Sequence, residues 1–138
     1  MSKTAAGKQK ENLTTAKLRE ILDGKPFLDQ TCILHQSLAL IADKWTLLIL
    51  MALMQGTKRN SELQRQIQGI SPKMLAQTLK TLVGYGMVIR VVYPEVPPKV
   101  EYSLTEFGGS TAGPLAALLD WSVEWEEHLR NLYQSNHA

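Results

Sequence analysis

A chain of 138 residues, 44% apolar and 20% charged, has room for one hydrophobic core and a terminal appendage, and is short for a two-domain enzyme. The net charge of +2 selects no partner by itself, but its distribution does. Lys58, Arg59, Arg65, Lys73 and Lys80 stand against Glu62 alone, whereas Asp120, Glu124, Glu126 and Glu127 outweigh Arg130, so a polyanion would choose the first stretch. The longest apolar run, 47–54, is too short to span a bilayer, and the polar start of the chain has no apolar leader; a cytoplasmic protein without membrane contact is expected. One cysteine, Cys32, excludes an internal disulfide framework.

Along the chain, Met1 to Glu11 is polar, Lys-rich and aperiodic, and reads as a mobile arm. Leu13, Leu18, Ile21 and Leu22 then share one helical face before Gly24 and Pro26 stop it, so residues 1–30 are expected to form an arm with a short helix. A second helix is expected from Thr31, with Leu34, Leu38 and Ile41 on one side. A third follows Asp43, with Trp45, Leu48, Ile49, Ala52 and Leu53 on one side before Gly56. Ser61 with Gln64 three residues on has the spacing of a capping box, opening a helix that turns Leu63 and Ile67 inward and ends at Gly69. Ser71-Pro72 is a stronger start signal, because a capping hydroxyl precedes a proline at the first helical position, and Gly84 and Gly86 close that helix near Tyr85. Two β-rich runs, Val88 to Tyr93 and Lys99 to Leu104, flank Pro94-Glu95-Val96-Pro97-Pro98 as a hairpin with a stiff tip. Thr105-Glu106 opens a last helical region with Leu115, Leu118, Leu119, Trp121 and Trp125, and a break is expected near Pro114.

Two helices joined by the short turn Gly69-Ile70 and followed by a hairpin are the order of a winged helix-turn-helix. The fold class is therefore mainly α with a small β-hairpin wing. The helix-turn-helix is expected at about 61–85 and the wing at about 87–104, within a domain of 31–131. On a wheel of the helix after Ser71, Leu75, Leu79 and Leu82 cluster on one face and Lys73, Gln77 and Lys80 on the opposite one. Such a polar stripe mixes groups that neutralise phosphate with groups that bond base edges, and the helix start at Ser71 suits phosphate. Taken alone the stripe also reads as an ordinary solvated face. Candidate DNA contacts are Ser71, Lys73, Met74, Gln77, Thr78 and Lys80 on this helix, with Arg59, Arg90 and Lys99 around the wing, where Lys99 stands ready for a phosphate or the minor groove.

These residues resemble the HxlR-type transcriptional regulators, winged helix-turn-helix proteins related in shape to the MarR type. The resemblance runs from about Cys32 to Trp125 and is carried by Asp43-Lys44-Trp45-Thr46, Ser61-Glu62-Leu63, Gly69-Ile70-Ser71-Pro72-Lys73-Met74-Leu75 and Tyr93-Pro94-Glu95-Val96-Pro97-Pro98-Lys99-Val100-Glu101-Tyr102-Ser103-Leu104-Thr105. It departs at Ile33, where the family frequently has proline, and at Asp43, where glycine is common. The resemblance implies a homodimer placing two recognition helices about one helical turn of duplex DNA apart on a near-palindromic operator. Helices outside the winged core, here 31–41 and about 105–131 with Trp121 and Trp125, would form the dimer interface.

Cys32 falls at the start of an expected helix, with His35 three residues on. A helix dipole and a neighbouring imidazole favour a thiolate, so the pair is a candidate redox sensor, set against the plainer reading of a small buried hydrophobe. Some proteins that this one resembles sense oxidants or electrophiles with a cysteine at this place. Alternatives are a small-molecule effector in a pocket walled by Trp45, Trp121 or Trp125, and a winged domain used only for protein contacts. No phosphate loop, nucleophile motif or acid–base pair points to an enzyme, and no metal site or cofactor is expected.

Overall fold

The computed structural model describes residues 5–23 and 33–137, in two compact units, 1–41 and 42–138. In the first unit, α1 (Ala5–Leu22) is a single helix of 18 residues. It replaces the arm and short helix expected from the sequence: Ala5 and Ala6 are strong helix formers, and a polar, aperiodic stretch can still extend a helix. The second helix, α2 (Ile33–Ile41), buries no residue, and Ile33, Leu34 and Leu38 are exposed. None of the described side chains of this unit is buried, so its apolar stripes are unfinished surfaces.

The second unit comprises α3 (Lys44–Met54), β1 (Lys58–Arg59), α4 (Asn60–Gln66), α5 (Pro72–Gly84), β2 (Val88–Tyr93), β3 (Lys99–Leu104), α6 (Glu106–Gly109), α7 (Ala112–Glu124) and α8 (Glu126–His137). Asp43 caps α3 by accepting the Trp45 N–H at 2.8 Å, so the carboxylate that stands in place of a common family glycine makes a firm helix start. Ser71 caps α5 by accepting the Met74 N–H at 3.1 Å, as the Ser-Pro signal predicts. The end of α5 is a Schellman turn. Gly86, at φ +73°, donates to the Val83 carbonyl, and Met87 donates to that of Leu82.

One expectation at a helix start is corrected. The cap of α4 is Arg59, whose N–H is accepted by Glu62 Oε1 at 3.0 Å, in place of Ser61 and Gln64; Gln64 instead donates to the Ile70 carbonyl and ties the helix to the following turn. The helical region that follows the wing is broken close to Pro114, as expected. The breaks fall at Ser110–Thr111 and at Trp125, while Pro114 sits in the first turn of α7, where its missing N–H leaves no helical bond unmade.

The strands form one antiparallel sheet in the order β1-β3-β2. Val88 pairs with Leu104, Val91 with Glu101 and Tyr93 with Lys99, while the two-residue β1 sets Lys58 against Tyr102 and Arg59 against Glu101. The hairpin has the boundaries read from the sequence. The third strand, β1, is too short for any periodicity to announce. The core is formed by Ile49 and Leu50 from α3, Leu63 from α4, Leu75, Leu79 and Leu82 from α5, Met87 with Val88 at the start of β2, Tyr102 from β3 and Leu115 from α7. Thr105 locks the far end of β3 to this core, its hydroxyl donating to the Gly86 carbonyl at 2.6 Å while accepting the Gly108 N–H. Gly108 itself lies so close to Met87 that an added Cβ would meet that carbonyl oxygen at 2.0 Å.

Candidate nucleic-acid interface

The helix-turn-helix is α4, the turn 67–71 and α5. Gly69, at φ +88°, gives the turn a left-handed residue that a side chain would strain, and the Trp45 ring lies beneath it, 3.8 Å from where a Cβ would stand. That contact fixes the entry to α5. Because Leu75, Leu79 and Leu82 are almost wholly inaccessible, Lys73, Gln77 and Lys80 are forced outward, and all three are exposed. Ala76 and Thr81 are exposed beside them. Among the described residues, neither Lys73 nor Lys80 has an ion-pair partner, so their charges are available to an approaching anion.

Met74 is half-buried. Thr78 is buried, with its hydroxyl donating to the Met74 carbonyl at 2.8 Å. It is therefore removed from the candidate contacts: three residues after Leu75 and four before Leu82, it belongs to the apolar face of the same wheel. The Ser71 hydroxyl is engaged in capping, and the residue remains exposed at the helix start.

Around the sheet, Arg59 and Arg90 are exposed. Strand alternation puts Arg90 on the face of Tyr102 and Val88, the face that packs on the core, so it projects where that face passes beyond the core. Lys99, Glu101, Tyr93 and Arg59 share the other face. Lys99, expected to meet a phosphate or the minor groove, has its Nζ 2.9 Å from Glu101 Oε1 and 5.1 Å from the centroid of the Tyr93 ring. The carboxyl of Glu101 is held below the usual carboxylate range, first by the hydrogen bond from Lys99, against the opposing effect of partial desolvation. The Lys99 charge, a hydrogen bond from Tyr93 and the Arg59 charge add to the lowering. Lys58 and Arg65, which sequence reasoning counted only as charge, meet with Glu62 and Gln66 around an open hollow of about 260 Å³.

His35 is exposed on α2, and Cys32 lies outside the described residues. An open groove of about 420 Å³ is lined by Leu48, Met51, Ala52, Gln55, Gln66, Ile67 and Gln68. Trp121 and Trp125 lie on the outer surface of the last helices with Leu118, Leu119, Val123, Leu132 and Tyr133. Among the described residues no single helix is long and apolar enough to cross a membrane.

Comparison with known proteins bears on the same stretch. The model of the HxlR-like helix-turn-helix family matches residues 40–130. The HTH-type transcriptional regulator YtfH of Escherichia coli (strain K12) is 45% identical over 103 residues, spanning 75% of this chain and 81% of YtfH. The structure of a transcriptional regulator of the MarR family from Porphyromonas gingivalis W83 superposes with a TM-score of 0.67 at 42% identity, over 70% of this chain and 94% of that one. The redox regulator HypR in its reduced form superposes with a TM-score of 0.68 at 34% identity, over 72% and 99% of the two chains. Together with a capped helix that presents a basic and amide face beside a three-stranded wing, these matches make the chain a DNA-binding transcriptional regulator of the HxlR-like helix-turn-helix family.

Proposed function

We propose that the protein binds duplex DNA as a homodimer on a near-palindromic operator, with α5 in the major groove and the wing against the flanking backbone. The observation that carries this reading is the division of α5: three leucines complete the core, which leaves Lys73, Gln77 and Lys80 exposed together with no ion pair among the described residues. In that pose Lys73 and Gln77 face base edges, where Gln bonds adenine and Lys reaches guanine, while Ser71, Lys80, Arg59 and Arg90 position the helix through phosphates. Met74 supplies apolar contact at the helix start. The exposed apolar side chains of α7 and α8 support the dimer, since two tryptophans, three leucines, a valine and a tyrosine along two successive helices are more than an isolated chain ordinarily leaves to water.

We further propose that Cys32 makes the binding redox-sensitive, with His35 nearby in sequence to favour the thiolate. Support comes from similarity to HypR, a redox regulator solved in both reduced and oxidised forms. With one cysteine per chain, two subunits would each give up a thiol proton and together two electrons to an oxidant, forming a Cys32–Cys32 bond across the dimer. The test is fluorescence anisotropy with a labelled duplex taken from upstream of the protein's own coding sequence, using reduced protein, diamide-treated protein and Cys32→Ser. Specific binding lost on oxidation in the native chain but not in Cys32→Ser is the expected result. Loss in both, or in neither, would remove the cysteine and leave the DNA reading to stand on the reduced protein's affinity.

A further inference from the structure

The three strands carry four cations, Lys58, Arg59, Arg90 and Lys99, and a single carboxylate, Glu101. Glu101 lies on the central strand, where it pairs with Lys99 of the same strand and stands opposite Arg59 of the edge strand β1. Arg59 is its partner in register on β1; Lys99 is two residues away on the same face of β3, with its Nζ 2.9 Å from the carboxylate. Tyr93, the partner of Lys99 on β2, holds the same ammonium over its ring. Lys99 is the first residue after the wing loop, at the place where a winged protein meets the DNA backbone. Its charge there is already answered.

A phosphate that approaches Lys99 must therefore displace a carboxylate and come to rest beside it. Non-specific binding consists almost entirely of such phosphate contacts, whereas specific binding adds base contacts along the recognition helix. An internal anion at the wing consequently penalises the first more than the second. We propose that Glu101 is a specificity-determining residue: it holds Lys99 and offsets its charge, so that the wing engages the backbone only when α5 has docked on its own sequence. This inference rests on the DNA-binding reading above.

Glu101→Gln keeps the shape and hydrogen-bonding capacity of the side chain and removes its charge. On a random-sequence duplex at 0.1 M salt the variant is expected to bind several-fold tighter, up to about eight-fold, with the slope of log affinity against log salt steeper by about 0.9, the signature of one more phosphate contact. On the operator the gain is smaller, so the ratio of specific to non-specific affinity falls. Adding Lys99→Gln to Glu101→Gln restores the native slope, whereas Lys99→Gln alone leaves the native slope on random duplex unchanged because that charge was already answered. A carboxylate that merely stabilised the sheet would give no tighter binding, and that result overturns the proposal. Flattening of the slope by Lys99→Gln alone overturns it independently, even if Glu101→Gln does not fold. Failure of the native protein to bind any duplex would sink the DNA-binding reading and this one together, while native binding with no gain in Glu101→Gln sinks only this one.

Discussion

Helices α5 and α7 are both 13 residues long and both rich in leucine, yet they end in opposite situations. In α5 the leucines at 75, 79 and 82 are buried and the polar stripe faces water; in α7 only Leu115 is buried, and Leu118, Leu119 and Trp121 face water. Burial, and not composition, separates them. The first helix has satisfied its apolar face within one chain and can offer its other face to a ligand. The second has an apolar face still to be covered, which is what a subunit interface requires.

The largest expected effect breaks this comparison at its base. Leu79→Ala should cost about 2–5 kcal/mol of stability in urea unfolding, because it leaves a cavity in the core, whereas Leu119→Ala should cost a monomer less than about 0.5 kcal/mol. Equal losses would mean that α7 is packed as α5 is. Next in size, Trp121→Ala should weaken the proposed dimer by about 2 kcal/mol, near thirty-fold, measured by sedimentation across a concentration series, while the fold persists. A third substitution sharpens the α5 side: Gly86→Ala puts a side chain at φ +73° and should cost about 1–2 kcal/mol, seen as a lower unfolding midpoint. The smallest effect tests the correction within α5. Thr78→Val replaces a buried hydroxyl bonded to its own helix and should change DNA affinity by less than about 0.5 kcal/mol, since it faces the core.

Much of this was legible in the chain itself. Ser71-Pro72 marks the start of α5, β-rich runs mark both wing strands, and leucine spacing separates the two faces of α5, because in each case a local physical rule and the final packing agree. Misreadings arose where they did not. The Ser61 and Gln64 spacing fitted a cap, but the two-residue β1 sets Arg59 at the helix start and hands the capping role to Glu62. Thr78 was assigned by its chemistry, although its spacing from Leu75 and Leu82 already placed it inside. Glu101 was missed for a related reason: alternation sets it on the face of Lys99, but only the structure shows the two in contact.

The central claim is that the outward face of α5 reads DNA sequence, and its most direct test is an anisotropy comparison of native protein, Lys73→Ala and Gln77→Ala on the bound operator duplex and on a random duplex at the same salt. The account predicts that each substitution costs about 1–3 kcal/mol on the operator. On random DNA, Gln77→Ala should change little and Lys73→Ala should lose less than it does on the operator. Equal losses on both duplexes, or none on either, would contradict it and return Lys73, Gln77 and Lys80 to an ordinary solvated helix face.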